Sequence, residues 1–320
     1  MADPDLIPDA ADLKAVAPTF DVDAIVVGGG PAGLSAALTL GRAGRPTVVF
    51  DTNEGRNRYA AHAHGYLSRD GIAPGELRET GRAEAEAYGV EIRDQAVEEA
   101  RRIPGGFCLT LADGHQLSCE ILVVATGVVD DLPDIPGLAE AWGVTAVHCP
   151  YCHGHEFAGR ATAVLGRGDS TYGMARLLLG WTESVTIVTN GPEDLSEAEE
   201  RRLAAAGIPI ERTPVARLRQ TDGEVEAVEL ADGREIPCGV FYVQPPQHMA
   251  SDLPESLGAA VVDGRIEADA DGRTAVPGLF VAGDILNRAQ QVATAVAGGA
   301  WAGIAANHDL LLGAPEPHDA

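Results

Sequence analysis

The segment His148 to Glu156 reads HCPYCHGHE, two cysteines with two residues between them and histidines on both sides. Three chemistries use such a pattern. A Cys-x-x-Cys pair can clamp a metal, can open and close as a redox disulfide, or can sit buried as two small apolar side chains. A zinc site needs four ligands, and the rest of the chain offers no second Cys-x-x-Cys and no His-x-x-x-His, so no metal is expected. Five cysteines in a chain of 320 residues do not describe a disulfide framework, which makes chemistry the better reading of the close pair. Cys108, Cys119 and Cys238 stand alone in strand-like apolar surroundings and read as buried fillers.

A second site lies near the start. Asp23 to Asp51 reads DAIVVGGGPAGLSAALTLGRAGRPTVVFD, which divides into an apolar strand, a glycine turn, a helix and a second strand. Gly28, Gly30 and Gly33, with Pro31 and Ala32 between them, fill the GxGxxG positions: a tight turn, close backbone approach to a pyrophosphate, and close contact of helix with strand. The helix start offers free N–H groups to phosphate. Asp51 ends the second strand, where a carboxylate can accept hydrogen bonds from an adenosine ribose.

Two distant segments decide which dinucleotide is meant. EILVVATGVVDDLPDIPG gives a buried strand ending in Ala125, Thr126 and Gly127, and AVPGLFVAGDI gives another ending in Gly283 and Asp284. Here the chain resembles the flavoprotein disulfide reductases, specifically the small thioredoxin reductase group, which pairs a GGGPAG turn, an ATG strand end and a late GLFVAGD motif. The resemblance runs from about Asp23 to Asn307. It implies FAD as cofactor, with Asp284 on the ribityl chain, and Gln291 and the Val292 amide of QQVATA at the flavin pyrimidine. Asp284 can also serve as an N-cap for the next helix. The resemblance further implies a homodimer, and it makes Cys149 and Cys152 the redox pair, Cys152 facing the flavin and Cys149 exchanging with substrate.

Departures from the family narrow the reading. The segment Arg160 to Asn190 keeps the outline of the NADPH domain with Gly166 and Gly168, but its third glycine position is Thr171. Its second strand ends in Thr189 and Asn190, followed by GPEDLSEAEE, where NADPH-dependent members carry arginines. Asp194, Glu197, Glu199 and Glu200 would repel a free phosphate, unless Arg167 or Arg201 supplies the site. Reductases of thioredoxin usually follow the second cysteine with an aspartate; here His153 stands there, and an imidazole can do acid-base work at neutral pH. CPYCHG with a weakened NADPH strand is similar to the FAD-dependent dithiol oxidases that close disulfides in natural products of the gliotoxin, holomycin and romidepsin type. GRNRYAAHAHGYLSRDG is similar to that subgroup too, which places Asn57 and His64 where the chain passes the flavin. His148 and His155 are as open to surface or supporting roles as to catalytic ones, and His62 reads as a solvated loop residue.

The whole chain must position these groups. Hydrophobic residues at 45% and charged residues at 22% describe a globular protein able to build a core. A net charge of -25 argues against nucleic acid and anionic membrane as partners. The first twenty residues lack the basic start and apolar run of a secretory signal, so a cytoplasmic protein is expected. Val292 to Ala306, the longest small-apolar stretch, is too short for a bilayer and is broken by Gly298, Gly299, Trp301 and Gly303, which suits helix packing.

The expected fold class is α/β, with two Rossmann-type (FAD/NAD(P)-binding) three-layer domains, the second inserted in the first. Residues 1–130 and 248–320 form the FAD-binding domain, and 131–247 form an insert carrying the dithiol. Proline-rich VVDDLPDIPG and YVQPPQHMA serve as the two crossings, DGEVEAVELADGREI as a small antiparallel layer, and the acidic tail after Gly313 as a disordered end. Two catalytic directions and one non-catalytic role are compatible with this plan. The first is an oxidase of a small dithiol that passes electrons through Cys149 and Cys152 to FAD and on to molecular oxygen, giving hydrogen peroxide. The second is an NADPH- or ferredoxin-fed disulfide reductase. The third is a flavin-bearing redox sensor.

Overall fold

Residues 22–27 (VDAIVV) and 47–50 (TVVF) are rich in β-branched side chains and pair as parallel strands, Ala24 opposite Thr47 through Val27 opposite Phe50. In this computed structural model, residues 19–192, 196–287 and 289–313 are described. The N-terminal stretch read as cytoplasmic, Asp194 and the acidic tail after Gly313 lie outside them. The described chain divides into two units: residues through Glu54, Arg78–Gly127 and Met249 onward in the first, Gly55–Leu77 and Val128–His248 in the second.

The first unit is built on a seven-stranded sheet. Glu91–Arg93, Thr47–Phe50, Val22–Val27 and Gln116–Val124 lie side by side in parallel, and Leu279–Val281 adds to the last of these, also parallel. Gly106–Leu111 and Val97–Ile103 extend the sheet antiparallel. The helix Pro31–Arg42 turns Ala32, Ala36, Ala37 and Leu40 inward, where they pack with Val26, Val49 and Val123. Its small residues let the helix Val292–Leu312 come close: a side chain at Gly299 would overlap the Ala32 carbonyl, and one at Gly303 would meet that of Ala36. Arg273 pins the far end of that helix, Nη2 lying 3.0 Å from Asp309 Oδ1 and 3.3 Å from the Ala305 carbonyl. The stretch read as helix-packing is therefore a helix against a helix, and among the described residues no helix is long and apolar enough to cross a membrane.

The second unit repeats the plan on a smaller scale. Ile210–Glu211, Val185–Val188, Thr162–Leu165, Val240–Val243 and Ala146–Val147 form a parallel five-stranded sheet, and the helix Gly168–Leu178 packs Met174, Ala175 and Leu178 with Val164, Ile187 and Tyr242. An antiparallel layer of Val215–Thr221, Glu224–Leu230 and Glu235–Pro237 forms where alternation and glycine turns predict it. The two α/β units are of Rossmann type, the second inserted in the chain of the first. Val128–Asp130 and Gln247–Met249, the crossings, pair with each other.

One stretch groups apart from its neighbours in the chain. Gly55–Leu77, read from sequence as part of the FAD-binding domain, groups with the second unit. A buried ion pair ties the start of this stretch to that unit. Arg56 donates from Nε and Nη2 to the two carboxylate oxygens of Asp130, at 2.6 and 2.7 Å, and Gln247 donates to the same carboxylate at 2.8 Å.

Candidate active site

In the first unit the predicted nucleotide residues gather at the carboxyl ends of the parallel strands. Gly28 donates to the Phe50 carbonyl at 2.8 Å, and Ala125 to that of Val27 at 2.8 Å, which brings the glycine turn beside Ala125, Thr126 and Gly127. Gly28 has φ 106° and lies so close to Ala125 that a side chain there would overlap its carbonyl; one at Gly33 would overlap the Gly28 carbonyl. Gly30 is different: a Cβ there meets nothing within 4 Å, leaving open space in front of the helix start that Pro31 opens. Gly283 and Asp284 sit in a tight turn after Leu279–Val281, with Gly283 against Ala32. Gln291 caps the helix Val292–Leu312, so the Val292 amide belongs to that helix's first turn.

Three observations test this cradle against FAD. Asp51 is buried and its Oδ2 accepts no hydrogen bond, having only Arg82 Nη1 at 3.5 Å. The Thr126 hydroxyl is buried with no partner. The Gly30 face is open. Buried polar groups are ordinarily satisfied, so an orphaned acceptor and hydroxyl flanking an open glycine turn fit a ribose and a pyrophosphate. Asn57 and His64 belong to the other unit, and neither unit taken by itself brings them to the glycine turn.

In the second unit the short edge strand Ala146–Val147 leads into the dithiol. Cys149 and Cys152 are joined as a disulfide with Cα atoms 5.3 Å apart. Cys149 precedes the helical turn Pro150–His153, and Pro150 starts it at a position where no amide is needed. Between the cysteines, Tyr151 is 70% exposed and meets Trp181 edge-on at 5.9 Å. His153 stacks on Phe157 at 6.0 Å with its Nδ1 buried and unpartnered. Burial pulls His153 below the usual histidine range, and the His64 charge adds to this, while Glu156 pulls the other way. His153 is therefore neutral at pH 7 and able to accept a proton. His148 differs: Arg56 Nη2 lies 3.3 Å from its Nε2, and because a guanidinium only donates, that nitrogen must accept. Burial and then the Arg56 charge push His148 down to about 4. Burial would raise Asp130, but the hydrogen bonds and charge of Arg56, helped by Gln247, hold it below the ordinary carboxylate value.

Two of the remaining cysteines are made inert by burial. Burial raises the Cys119 thiol far above its ordinary value and pushes Cys238 up to about 12. Cys108 is buried as well.

The second unit also holds the other nucleotide fold. The Thr171 hydroxyl fills the third-glycine position and donates to the Arg167 carbonyl at 3.1 Å. Arg167 folds over the end of the second strand, Nε donating to the Thr189 carbonyl at 2.8 Å and Nη2 to the Asn190 carbonyl at 2.7 Å. Asn190 accepts from the Val215 amide at 2.8 Å. Arg201 pairs with Glu197 on the surface, and Arg212 with Glu200. Each of these arginines thus has a carbonyl or carboxylate of the chain as partner.

Sequence reasoning passed over Glu156, Asp70, Arg56, Asp130 and Tyr242. Glu156 ends the segment that drew attention first and lies one helical turn beyond His153, so its spacing was a usable signal. Nothing local marks the pairing of Arg56 with Asp130.

Residues 22–299 match the family model for pyridine nucleotide-disulphide oxidoreductases. The thioredoxin reductase tcpT of Claviceps purpurea is 33% identical, covering 91% of this chain and 94% of that protein. The thioredoxin reductase sirT of Leptosphaeria maculans is 32% identical, covering 90% and 94%. The crystal structure of HlmI superposes with a TM-score of 0.86 at 38% identity, over 91% of this chain and 92% of that one. An oxidoreductase from Agrobacterium tumefaciens gives 0.86 at 37%, over 91% and 98%. With the glycine cradle in one unit, the dithiol in the other and a match that spans both, the chain belongs to the pyridine nucleotide-disulphide oxidoreductase family, as a thioredoxin-reductase-like flavoenzyme with FAD as its cofactor.

Proposed function

We propose that this flavoenzyme is a dithiol oxidase that closes an intramolecular disulfide in a small natural-product dithiol, acting as a cytoplasmic homodimer. The observation that carries this reading is the second nucleotide fold, where Arg167 is folded onto the Thr189 and Asn190 carbonyls and Glu197, Glu199 and Glu200 stand in the first turn of the next helix. Such a strand end is a poor host for a 2′-phosphate, so electrons enter from the dithiol instead. The similarity to HlmI and to the fungal relatives fits the natural-product subgroup suggested by CPYCHG.

The protein's own residues carry the exchange. A substrate thiolate attacks Cys149 Sγ, the Cys149–Cys152 bond breaks, and Cys152 leaves as a thiolate. The second substrate thiol loses its proton to neutral His153 and attacks the substrate sulfur held on Cys149; that mixed disulfide bond breaks, Cys149 leaves as a thiolate and the cyclic disulfide is released. Tyr151, exposed between the cysteines and braced by Trp181, gives an apolar substrate a face to rest on. Gly28, Gly30, Pro31, Ala32, Gly33, Asp51, Thr126 and Asp284 hold the cofactor, with Asn57, His64, Gln291 and Val292 as further contacts. When bound, FAD would supply a two-electron acceptor for the reduced cysteines and a reductant that, with two protons, converts molecular oxygen to hydrogen peroxide.

A reductase reading has its own support in the names of the relatives and in the retained Gly166 and Gly168 turn. Anaerobic mixing separates the two. Bleaching of the flavin by dithiothreitol, reversed by air with peroxide formed and lost in Cys152→Ser, is the oxidase outcome. Catalytic bleaching by NADPH overturns it.

A further inference from the structure

Oxidation of a dithiol that enters as its monoanion by the Cys149–Cys152 disulfide yields the cyclic disulfide, two cysteine thiolates and one proton, taken up by His153. That proton must leave the half-buried dithiol. The helical turn after the cysteines supplies a row of groups that leads to the surface. Glu156 comes one turn after His153, and its Oε1 lies 3.6 Å from His64 Nε2. The opposite nitrogen of the same ring, His64 Nδ1, lies 3.6 Å from Asp70 Oδ1. Both gaps are slightly longer than a direct hydrogen bond, and a small closure makes each one. His64 is 20% exposed at its side chain, Glu156 33%, and Asp70 70%.

An imidazole with a carboxylate at each nitrogen can take a proton on one side and release it on the other. We infer that Glu156, His64 and Asp70 form a proton relay that serves the dithiol through His153, an inference that rests on the dithiol exchange proposed for this site. His153 takes the substrate proton, Glu156 accepts it, His64 passes it across its ring, and Asp70 gives it to solvent. The path runs in reverse when a thiolate must be protonated. Relay residues act through His153 and so are positioning residues rather than groups that touch the substrate.

The surroundings suit the task. Burial and His64 favour the neutral form of His153, whereas Glu156 favours its protonated form, so the proton is bound only in transit. The Tyr242 hydroxyl is buried without a partner, and burial together with the Glu156 charge raises it far above its ordinary value, so it stays protonated beside the relay. Phe157 covers the other face of His153, and His62 stands 6.2 Å from His64, with its Nδ1 at 2.9 Å from the Gly71 carbonyl.

The test uses holoprotein without oxygen, dithiothreitol as probe, and opening of the Cys149–Cys152 disulfide read by acid quench, alkylation and mass. Glu156→Gln and His64→Ala should slow opening by about tenfold to a hundredfold at neutral pH, within the usual range for acid-base groups. Imidazole should restore His64→Ala, and formate should restore Glu156→Ala, each with a saturating dependence. The two isolated defects should merge at high pH, where dithiothreitol is already ionised. Wild-type opening rates in both variants overturn the relay, as does a slow rate that imidazole and formate leave unchanged, since that marks a purely structural contact. The readout does not depend on electron flow to the cofactor. Rescue with no flavin bleaching by the dithiol would leave the relay standing and overturn the oxidase.

Discussion

Replacing Arg56 by methionine tests the anchor of Gly55–Leu77. The Asp130 side chain is 6% exposed and receives two hydrogen bonds from Arg56 and one from Gln247, so the variant leaves a buried carboxylate with Gln247 alone. Breaking a buried ion pair from one side costs about 3–5 kcal/mol. With a urea slope of about 2 kcal/mol/M, the midpoint of the second unit falls by about 2 M. Tryptophan fluorescence reports it, because Trp142 and Trp181 both lie in that unit and Trp142 packs on His148 at 5.9 Å.

The sign with pH is also set. In the wild type Asp130 is held below its ordinary value of 3.8, so its contribution is present above that pH and is lost as acid protonates the folded form. Without Arg56 burial dominates and raises Asp130, so the variant's deficit is absent in acid and opens as pH rises. His148 adds to the wild-type loss in acid, since it falls from 6.5 to about 4 on folding and opposes protonation across that window. Arg56→Met with Asp130→Leu should regain most of the lost stability, because no charge is then buried alone. A single-variant midpoint within about 0.3 M of the wild type, or a double variant no better than the single one, refutes the reasoning.

The first unit yields two further expected outcomes. Gly33→Ala drives a methyl into the Gly28 carbonyl and should weaken FAD retention at least about tenfold, equal to about 1.4 kcal/mol, read as flavin absorbance after gel filtration; full retention would mean that the turn is not the pyrophosphate seat. Arg273→Ala strands Asp309, 7% exposed at its side chain, near the carboxyl end of its helix, and should lower Tm by about 5–10 °C in a thermal scan. An unchanged Tm would show the pair to be incidental.

What the sequence made legible was local. Gly28, Gly30, Gly33 and Asp51 fall within one βαβ unit, where backbone geometry dictates residue type, and Cys149 with Cys152 spans one turn. The strands after Glu120 and before Gly283 announced themselves as unbroken apolar runs, since both faces are covered. The anchor of Gly55–Leu77 was not legible, because Arg56 and Asp130 lie 74 residues apart and nothing in the motif around either one points to the other. The resemblance places His64 where the chain passes the flavin, but its carboxylate neighbours were not legible, since they come from its own loop and from the turn after the distant dithiol helix. Arg167 was weighed as a phosphate ligand; only the conformation of its side chain reveals that it binds the strand end instead.

The pairing of Val128–Asp130 with Gln247–Met249 bears on the order of events during synthesis. The sheet of the second unit is complete once Val243 has emerged from the ribosome, whereas the first unit waits for Leu279–Val281 and for the helix that ends at Leu312. The later segment in the chain can thus complete its sheet ahead of the earlier one. Until those last residues arrive, the glycine turn has no closing strand beside Gln116–Val124, so a nascent chain stalled before Leu279 carries a finished disulfide module and an unfinished flavin site.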